Sequence, residues 1–585
     1  RHALLLGLAL GLMAFPYQAF DAAGDALSSP NTLPRIALVI GNSRYKETPL
    51  KNPGNDANAI AGQLQRMGFT VTLQLDAGRQ EMLDAIRSFG SSLAKSKGVG
   101  LFYFAGHGAQ LAWRNYLIPV DVAIETGDDM RSRAVDMDAL LDDLIRARNP
   151  MNIIILDACR DNPFGSQVAL AQKGLSQLDA PAGTLLAYST SPGSVAADGE
   201  GANGLYTGFL LKEIQAREAK IEDVFKRVRL NVRRLSRGQQ IPWESTSLEQ
   251  DFYLIPPVAA KKLTPEELER QFEEELEIWM RIRATTDTAP LEDYLRRFPS
   301  GKFSELAQFR LDRLLARQGE KPAQVGPTTE PPAPKANPAH GASAPVALAR
   351  ERARAALAPL GLIAAAHAAE FARAAPPGSN PFTRGTARAD GDYRVGDRYT
   401  YSRMDAFSKV ESRQFTERVT EVTDLEVIYN RGRRTTDLLG NDIVDRAGKE
   451  YSPSQVYVPE YSIGKKWSTR FHVVRSAESG LGKKGQKLRE DDIEIDFKVV
   501  AREPVTVPAG TFDAYRVEGH GFFVRGGVAL KYVYWIAPDR VRRVLALEIY
   551  VSGKGGRYQR ADRFELVSYT QQIGGKLARM AQATK

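Results

Sequence analysis

The chain has 585 residues, one cysteine and six histidines. The cysteine, Cys159, comes at the end of "MNIIILDACRDNP", and His107 comes at the end of "GVGLFYFAGHGAQ". Each follows an unbroken apolar run, and His107 is the only histidine between residues 34 and 256. An imidazole and a thiol held at one edge by rigid elements form a nucleophile–base pair, in which the ring takes the thiol proton and the thiolate attacks a carbonyl carbon. Singly, each residue has a plainer reading: a lone histidine is more often structural, and a cysteine after an apolar strand is a small core residue. Jointly, the only thiol and the only imidazole of this stretch stand at equivalent positions, which favours chemistry. Gly106 and Gly108 leave the backbone beside the histidine bare, as close approach of another chain requires. With one cysteine, an intramolecular disulfide and a cysteine metal cluster are excluded.

The elements that must position this pair read as an α/β domain from Pro34 to about Pro256. "RIALVIGN", "TVTLQL", "GVGLFYFAG", "MNIIILDA" and "GTLLAYST" are apolar strands, separated by helical patterns such as "DANAIAGQLQRMGF" and "VDMDALLDDLIRA". Unbroken apolar strands alternating with helices predict a mostly parallel sheet covered on both faces. Functional groups of such sheets gather beyond the carboxyl ends of the strands, where His107, Asp157 and Cys159 lie.

The rest of the chain divides by composition. Residues 1–26, opening "RHALLLGLALGLMAF", read as a secretory signal, with an uncleaved anchor as the rival, and place the protein in the periplasm or cell envelope. Residues 263–319 are charged and predict one helical hairpin, with Thr264, Pro265 and Glu267 starting its first helix. Residues 320–388 are a Pro/Ala-rich linker, and residues 389–575 alternate in short segments that predict an antiparallel sheet or curled half-barrel. "VTVPAGTFDAYRVE" there resembles a hairpin of bacterial envelope β-domains. The net charge is +9, but Lys and Arg are scattered without a compact run, which argues against nucleic acid as a partner. No further segment approaches membrane-spanning length.

Three motifs, in order, carry a resemblance to a known family. "DACRD", with its histidine 52 residues upstream, is similar to the cysteine motif of caspases, "FAGHG" to the histidine motif of caspases and metacaspases, and "AYSTSPGSVAADG" to the strand and loop that complete the substrate groove. Over residues 34–256 the chain resembles bacterial caspase-like peptidases (peptidase C14, metacaspase and orthocaspase). The resemblance implies that Cys159 is the nucleophile, that His107 moves the protons, and that the backbone N–H groups of Gly108 and Cys159 hold the oxyanion. It also implies a groove that includes Ser189.

Two departures bear on specificity. Asp157 stands where aspartate-cutting caspases carry Gln, and Asp198 where they carry Arg. In metacaspases the positions of Asp157 and Asp56 line a pocket for a basic side chain. Carboxylates in a partly desolvated pocket favour guanidinium or ammonium and repel aspartate, so cleavage after Arg or Lys is expected. Each acid has an ordinary alternative: Asp56 can cap the helix it begins, Asp157 can orient a loop, and Asp198 lies in a Gly-rich loop. The chemistry needs no cofactor; Asp121, Asp128 and Asp129 are candidate ligands for an activating calcium. Lys173 is a candidate self-cleavage site.

The expected partner is a protein or peptide substrate with basic residues, and an envelope partner is open to the β domain. Two readings of other classes stay open: a catalytically silent caspase-like scaffold, and an envelope binding protein whose β domain takes a lipid or glycan. Exposed apolar side chains on the concave face of that domain would support the last.

Overall fold

The computed structural model describes residues 30–159, 174–192, 201–257, 263–319, 380, 383–475, 490–553, 558–573 and 576–580. The expected signal segment and nearly all of the expected linker lie outside these residues, as do Lys173 and Asp198.

The first domain runs through β1 (Arg35–Gly41), α1 (Pro53–Arg66), β2 (Phe69–Leu75), α2 (Arg79–Ser96), β3 (Val99–Leu111), β4 (Arg114–Leu117), α3 (Gly127–Arg133), β5 (Val135–Asp136), α4 (Met137–Ala147), β6 (Met151–Cys159), β7 (Thr184–Tyr188), α5 (Leu205–Glu213), α6 (Ile221–Leu235) and β8 (Trp243–Thr246). The sheet order is β2-β1-β3-β6-β7-β8, with all pairs parallel except β7 with β8; β4 and β5 extend the end of β3. Alternate strand residues feed two cores. Val39, Tyr103 and Ile155 pack under α1, α5 and α6, whereas Ile40, Phe104 and Leu156 pack under α2 and α4. Burial on both faces explains why the central runs Ile36–Ile40, Leu101–Ala105 and Ile153–Leu156 are apolar at every position.

Local chemistry sets several boundaries. Asp136 caps α4 through the backbone N–H of Asp138, and Arg148 ends that helix in the left-handed region. β6 and β7 are hydrogen-bonded neighbours from Asn152↔Thr184 to Leu156↔Tyr188, although residues 160–183 separate them in sequence.

Residues 263–319 hold three helices, α7 (Pro265–Ile282), α8 (Ala289–Arg297) and α9 (Ser304–Arg317), rather than a single hairpin. Thr264 and Glu267 form the expected capping box. The Pro-Ser-Gly break separates α8 from α9, while the break between α7 and α8 lies in the unmarked stretch "RATTDT". Trp279, Tyr294 and Phe303 pack together in the core these helices share, and Tyr294 donates to the buried Glu275 at 2.6 Å.

The C-terminal domain comprises β9 (Thr386–Arg388), β10 (Arg398–Asp405), β11 (Glu411–Val422), β12 (Glu426–Tyr429), β13 (Arg434–Asp437), β14 (Asp442–Val444), β15 (Lys449–Tyr451), β16 (Glu460–Ser462), β17 (Lys466–Arg475), β18 (Glu490–Val507), β19 (Gly510–Phe523), β20 (Ala529–Ile536), β21 (Ala546–Ser552), β22 (Tyr558–Ile573) and β23 (Lys576–Met580). It is antiparallel, as expected, but β22 pairs back onto β10, so a barrel closes where an open or half-curled sheet was expected. β9 and β16 pair separately. The strand content therefore begins inside the stretch read as linker. That stretch is tied to the first domain: Thr383 and the backbone N–H of Arg384 both donate to Asp179, and Gln177 donates to Thr386. Among the described residues no helix is long and apolar enough to cross a membrane.

Candidate active site

β3 and β6 are adjacent parallel strands, so the two motifs lie side by side. Ala105 is opposite Asp157, and after a local shift Gly108 is opposite Cys159. The two backbone positions that the resemblance assigns to the oxyanion thus face each other across one strand pair. A Cβ on Gly108 would sit 2.6 Å from the carbonyl oxygen of Ala158, and one on Gly106 would sit 2.6 Å from the Tyr45 hydroxyl. Close approach is therefore what both glycines permit.

His107 is buried and fixed on every side. Its backbone N–H donates to the Tyr45 hydroxyl at 2.9 Å, and that hydroxyl donates onward to the carbonyl of Ile118 at 3.0 Å. The Ile118 N–H returns to the His107 carbonyl at 3.0 Å. The imidazole lies against the Tyr45 ring with centroids 4.4 Å apart. Its Nε2 is 2.8 Å from the carbonyl oxygen of Thr48 and 3.0 Å from the Thr48 hydroxyl. A carbonyl oxygen only accepts, so in the neutral ring Nε2 carries the hydrogen and Nδ1 holds the basic lone pair. Asn42 braces the same corner: its side chain exchanges two hydrogen bonds with the backbone of Ala77, and its N–H donates to Ala105.

The sequence reading missed Tyr45, Thr48 and Asn42. All lie in or beside "GNSRYKETPL", which follows β1. Thr48 acts largely through its main chain, which leaves no mark in residue type. The Gly-Asn end of β1 was the one visible signal.

The acidic candidates divide. Asp157 accepts from the Thr207 hydroxyl at 2.9 Å, and Thr207 lies 2.7 Å from the Tyr103 hydroxyl. Thr207 has one hydrogen and gives it to the carboxylate, so Tyr103 donates to Thr207. Burial first, and then the negative charges of Asp157 and Asp56, hold the Tyr103 hydroxyl well above its ordinary range, which keeps that proton in place. Asp56 lies in the first turn of α1, but Asn52 occupies the N-cap position. Asp56 instead accepts from Gly204 N–H at 3.0 Å and from the Asn203 side chain at 2.8 Å, so it satisfies the start of α5. The first turn of α5 thus collects Asp56 through Gly204 and Asp157 through Thr207. Ser189 follows β7 at the same edge, fully buried, with its N–H donating to the Leu156 carbonyl.

The three calcium candidates do not converge. Asp121 accepts from Arg79 N–H at the start of α2; Asp129 closes the capping box of α3 with Thr126; Asp128 pairs with Arg131 on the surface. Local partners at and within α3 account for Asp128 and Asp129, and the first turn of α2, 42 residues away in sequence, accounts for Asp121. Among the described residues the group with converging ligand atoms is elsewhere, at Glu269, Glu273 and His472, where α7 meets the barrel. There His472 bridges Glu273 at 3.0 Å and Asp492 at 2.5 Å.

Comparison with known proteins bears on this domain. Residues 34–253 match the family model of the caspase domain, peptidase C14. The chain is 28% identical over 262 residues to mucosa-associated lymphoid tissue lymphoma translocation protein 1 of Homo sapiens, and 28% identical over 258 residues to its homologue in Mus musculus. Those alignments take in 43% of this chain and span only 30% of the length of either relative. The order of the motifs and the family match agree: residues 34–253 are similar to the caspase domain of peptidase family C14.

Proposed function

We propose that this domain is a cysteine endopeptidase that cuts after arginine or lysine. The observation that carries the reading is the 2.8 Å contact between His107 Nε2 and the Thr48 carbonyl oxygen. With Nε2–H spent on the Thr48 carbonyl, Nδ1 is the nitrogen able to take the Cys159 proton. The Cys159 sulfur then bonds to the substrate carbonyl carbon, and the oxyanion accepts from backbone N–H groups of Gly108 and Cys159. His107 passes the proton to the leaving amine as the C–N bond breaks. Water attacks the thioester, gives a proton to Nδ1, and returns the thiol and a free carboxylate. No metal or cofactor enters these steps.

Asp157 and Asp56 supply the preference for a basic side chain. Asp157 lies on β6, two residues before Cys159, and both it and Asp56 of α1 accept hydrogen bonds from the start of α5, which supports an acidic pocket next to the nucleophile. Calcium is a candidate activator without an assigned site. The apolar stretch at residues 3–15 supports a location in the periplasm or envelope, where the β domain would recruit a partner.

Purified protein would be offered fluorogenic peptides ending in Arg, Lys or Asp, with and without calcium, beside C159A and H107A. Turnover of the Arg and Lys peptides that both variants abolish is expected. Turnover of the Asp peptide would overturn the acidic pocket. A folded protein silent in all conditions would favour the scaffold reading.

A further inference from the structure

The barrel is filled at one end and hollow at the other. Along β10, β11 and β20 the inward side chains go from fully buried Tyr399, Val419 and Tyr534 to Arg403, Arg413 and half-buried Tyr532. The filled end holds Tyr429, Phe497 and Tyr515. The hollow end encloses a cavity of about 1010 Å³. Ligand pockets run from ~300 to 1,000 Å³, so this volume is at the upper limit for one small molecule.

The walls of the cavity differ in kind. From β17 to β21 the lining is aliphatic and aromatic apart from Asp491. Leu547, Ile549 and Val551 all point inward from β21 and are only half-buried, because the lumen in front of them is not filled by protein. Inward apolar side chains of a barrel normally meet one another, so these present unsatisfied apolar surface. The opposite wall is charged. Buried Glu417 is shared by Arg434 at 2.5 Å, Arg543 at 3.4 Å and Arg446 at 3.7 Å. Burial pushes the Glu417 carboxyl up, but these guanidiniums outweigh it and hold it below its usual range. Arg446 is exposed, with its guanidinium 3.4 Å over the Phe415 ring. Eight cationic and five acidic side chains line the cavity in all, so it carries excess positive charge.

An apolar wall facing an arginine wall in one chamber fits a ligand with one apolar and one anionic part. We propose that the lumen binds a single-chain anionic amphiphile of the fatty-acid class, with its tail along β17–β21 and its carboxylate against Arg446 and its neighbours. Guanidinium and carboxylate are matched in charge and geometry. A glycan fits less well, since its hydroxyls would meet no partners along Ile493, Leu547 and Ile549. The site is independent of the peptidase chemistry.

The test is a titration of the full chain with 11-(dansylamino)undecanoic acid, followed by displacement with palmitate, methyl palmitate or an alginate oligosaccharide. Saturable uptake near one per chain is expected, displaced by palmitate at least tenfold better than by its methyl ester. R446A should weaken uptake about tenfold, and I549W should abolish it by filling the lumen. C159A should bind as the parent does. Circular dichroism would confirm that each variant is folded; R446A, an exposed position, keeps the test decisive should I549W unfold. No saturable uptake, equal displacement by acid and ester, preferential displacement by the alginate, or undiminished uptake by folded variants would each overturn the proposal.

Discussion

The Nε2 of His107 lies 2.8 Å from the carbonyl oxygen of Thr48, and this contact decides which nitrogen of the ring is basic. Nitrogen-15 NMR of the neutral ring should show Nε2 protonated. T48A removes the hydroxyl but keeps the carbonyl, so kcat/KM should fall no more than about threefold, less than one kcal/mol. Y45F removes the acceptor of the buried His107 N–H and should destabilise the domain by about 1–3 kcal/mol. It should also lower kcat more than it changes KM, because the ring loses its alignment.

Gly108 and Ala158 touch where the two motif strands meet. In G108A the new methyl would lie 2.6 Å from the Ala158 carbonyl oxygen, forcing β3 away from β6. Overpacking of this kind costs about 1–3 kcal/mol. Thermal denaturation should show that loss, and peptide turnover should fall at least a hundredfold as the two backbone donors separate.

Thr207 is the link that holds Asp157. T207V keeps the volume but removes the donor to the carboxylate and the acceptor for Tyr103. KM for Arg and Lys peptides should rise about tenfold, roughly 1.4 kcal/mol, with little change in kcat. D157N should do the same or more, whereas an Asp peptide should gain slightly from both.

Much of the site was legible because uniqueness and burial pattern both point to it. His107 and Cys159 stand out by count, and β1, β3, β6 and β7 read as strands because burial on both faces left their central runs apolar. The Thr48 carbonyl was not legible, since any residue there supplies the same oxygen. Asp56 looked like a cap for its own helix. Its role at α5 depends on Gly204, which is 148 residues away, and no local pattern records that. Barrel closure has the same character: β10 and β22 alternate like any strands, and only three-dimensional register joins Tyr399 to Tyr569. The break between α7 and α8 has no Pro or Gly within it, and its mark in the sequence is Pro290 in the first turn of α8.

Asp437, at the end of β13, gives a pH dependence. Burial pushes its carboxyl up to about 6, against the hydrogen bonds from Asn441, Leu439 and Gly440 that pull it down. The folded state therefore holds the proton more tightly than the unfolded chain, and stability falls as pH rises from about 4 through about 6. The barrel's thermal transition should be higher at pH 5 than at pH 7 by an amount that D437N reduces. Calorimetry of both proteins across that range checks it, and an unchanged pH slope in the variant would count against the assignment.

Pairing of β6 with β7 has a mechanical consequence. Five residue pairs, from Asn152↔Thr184 to Leu156↔Tyr188, hold the halves of the sheet together, and Asp179 and Gln177 fasten the second half to the C-terminal domain. Covalent continuity between residues 160 and 173 is therefore redundant for cohesion. A chain nicked there would migrate as one particle in gel filtration and as two bands only after denaturation, so proteolytic maturation of this protein would change its termini without changing its size.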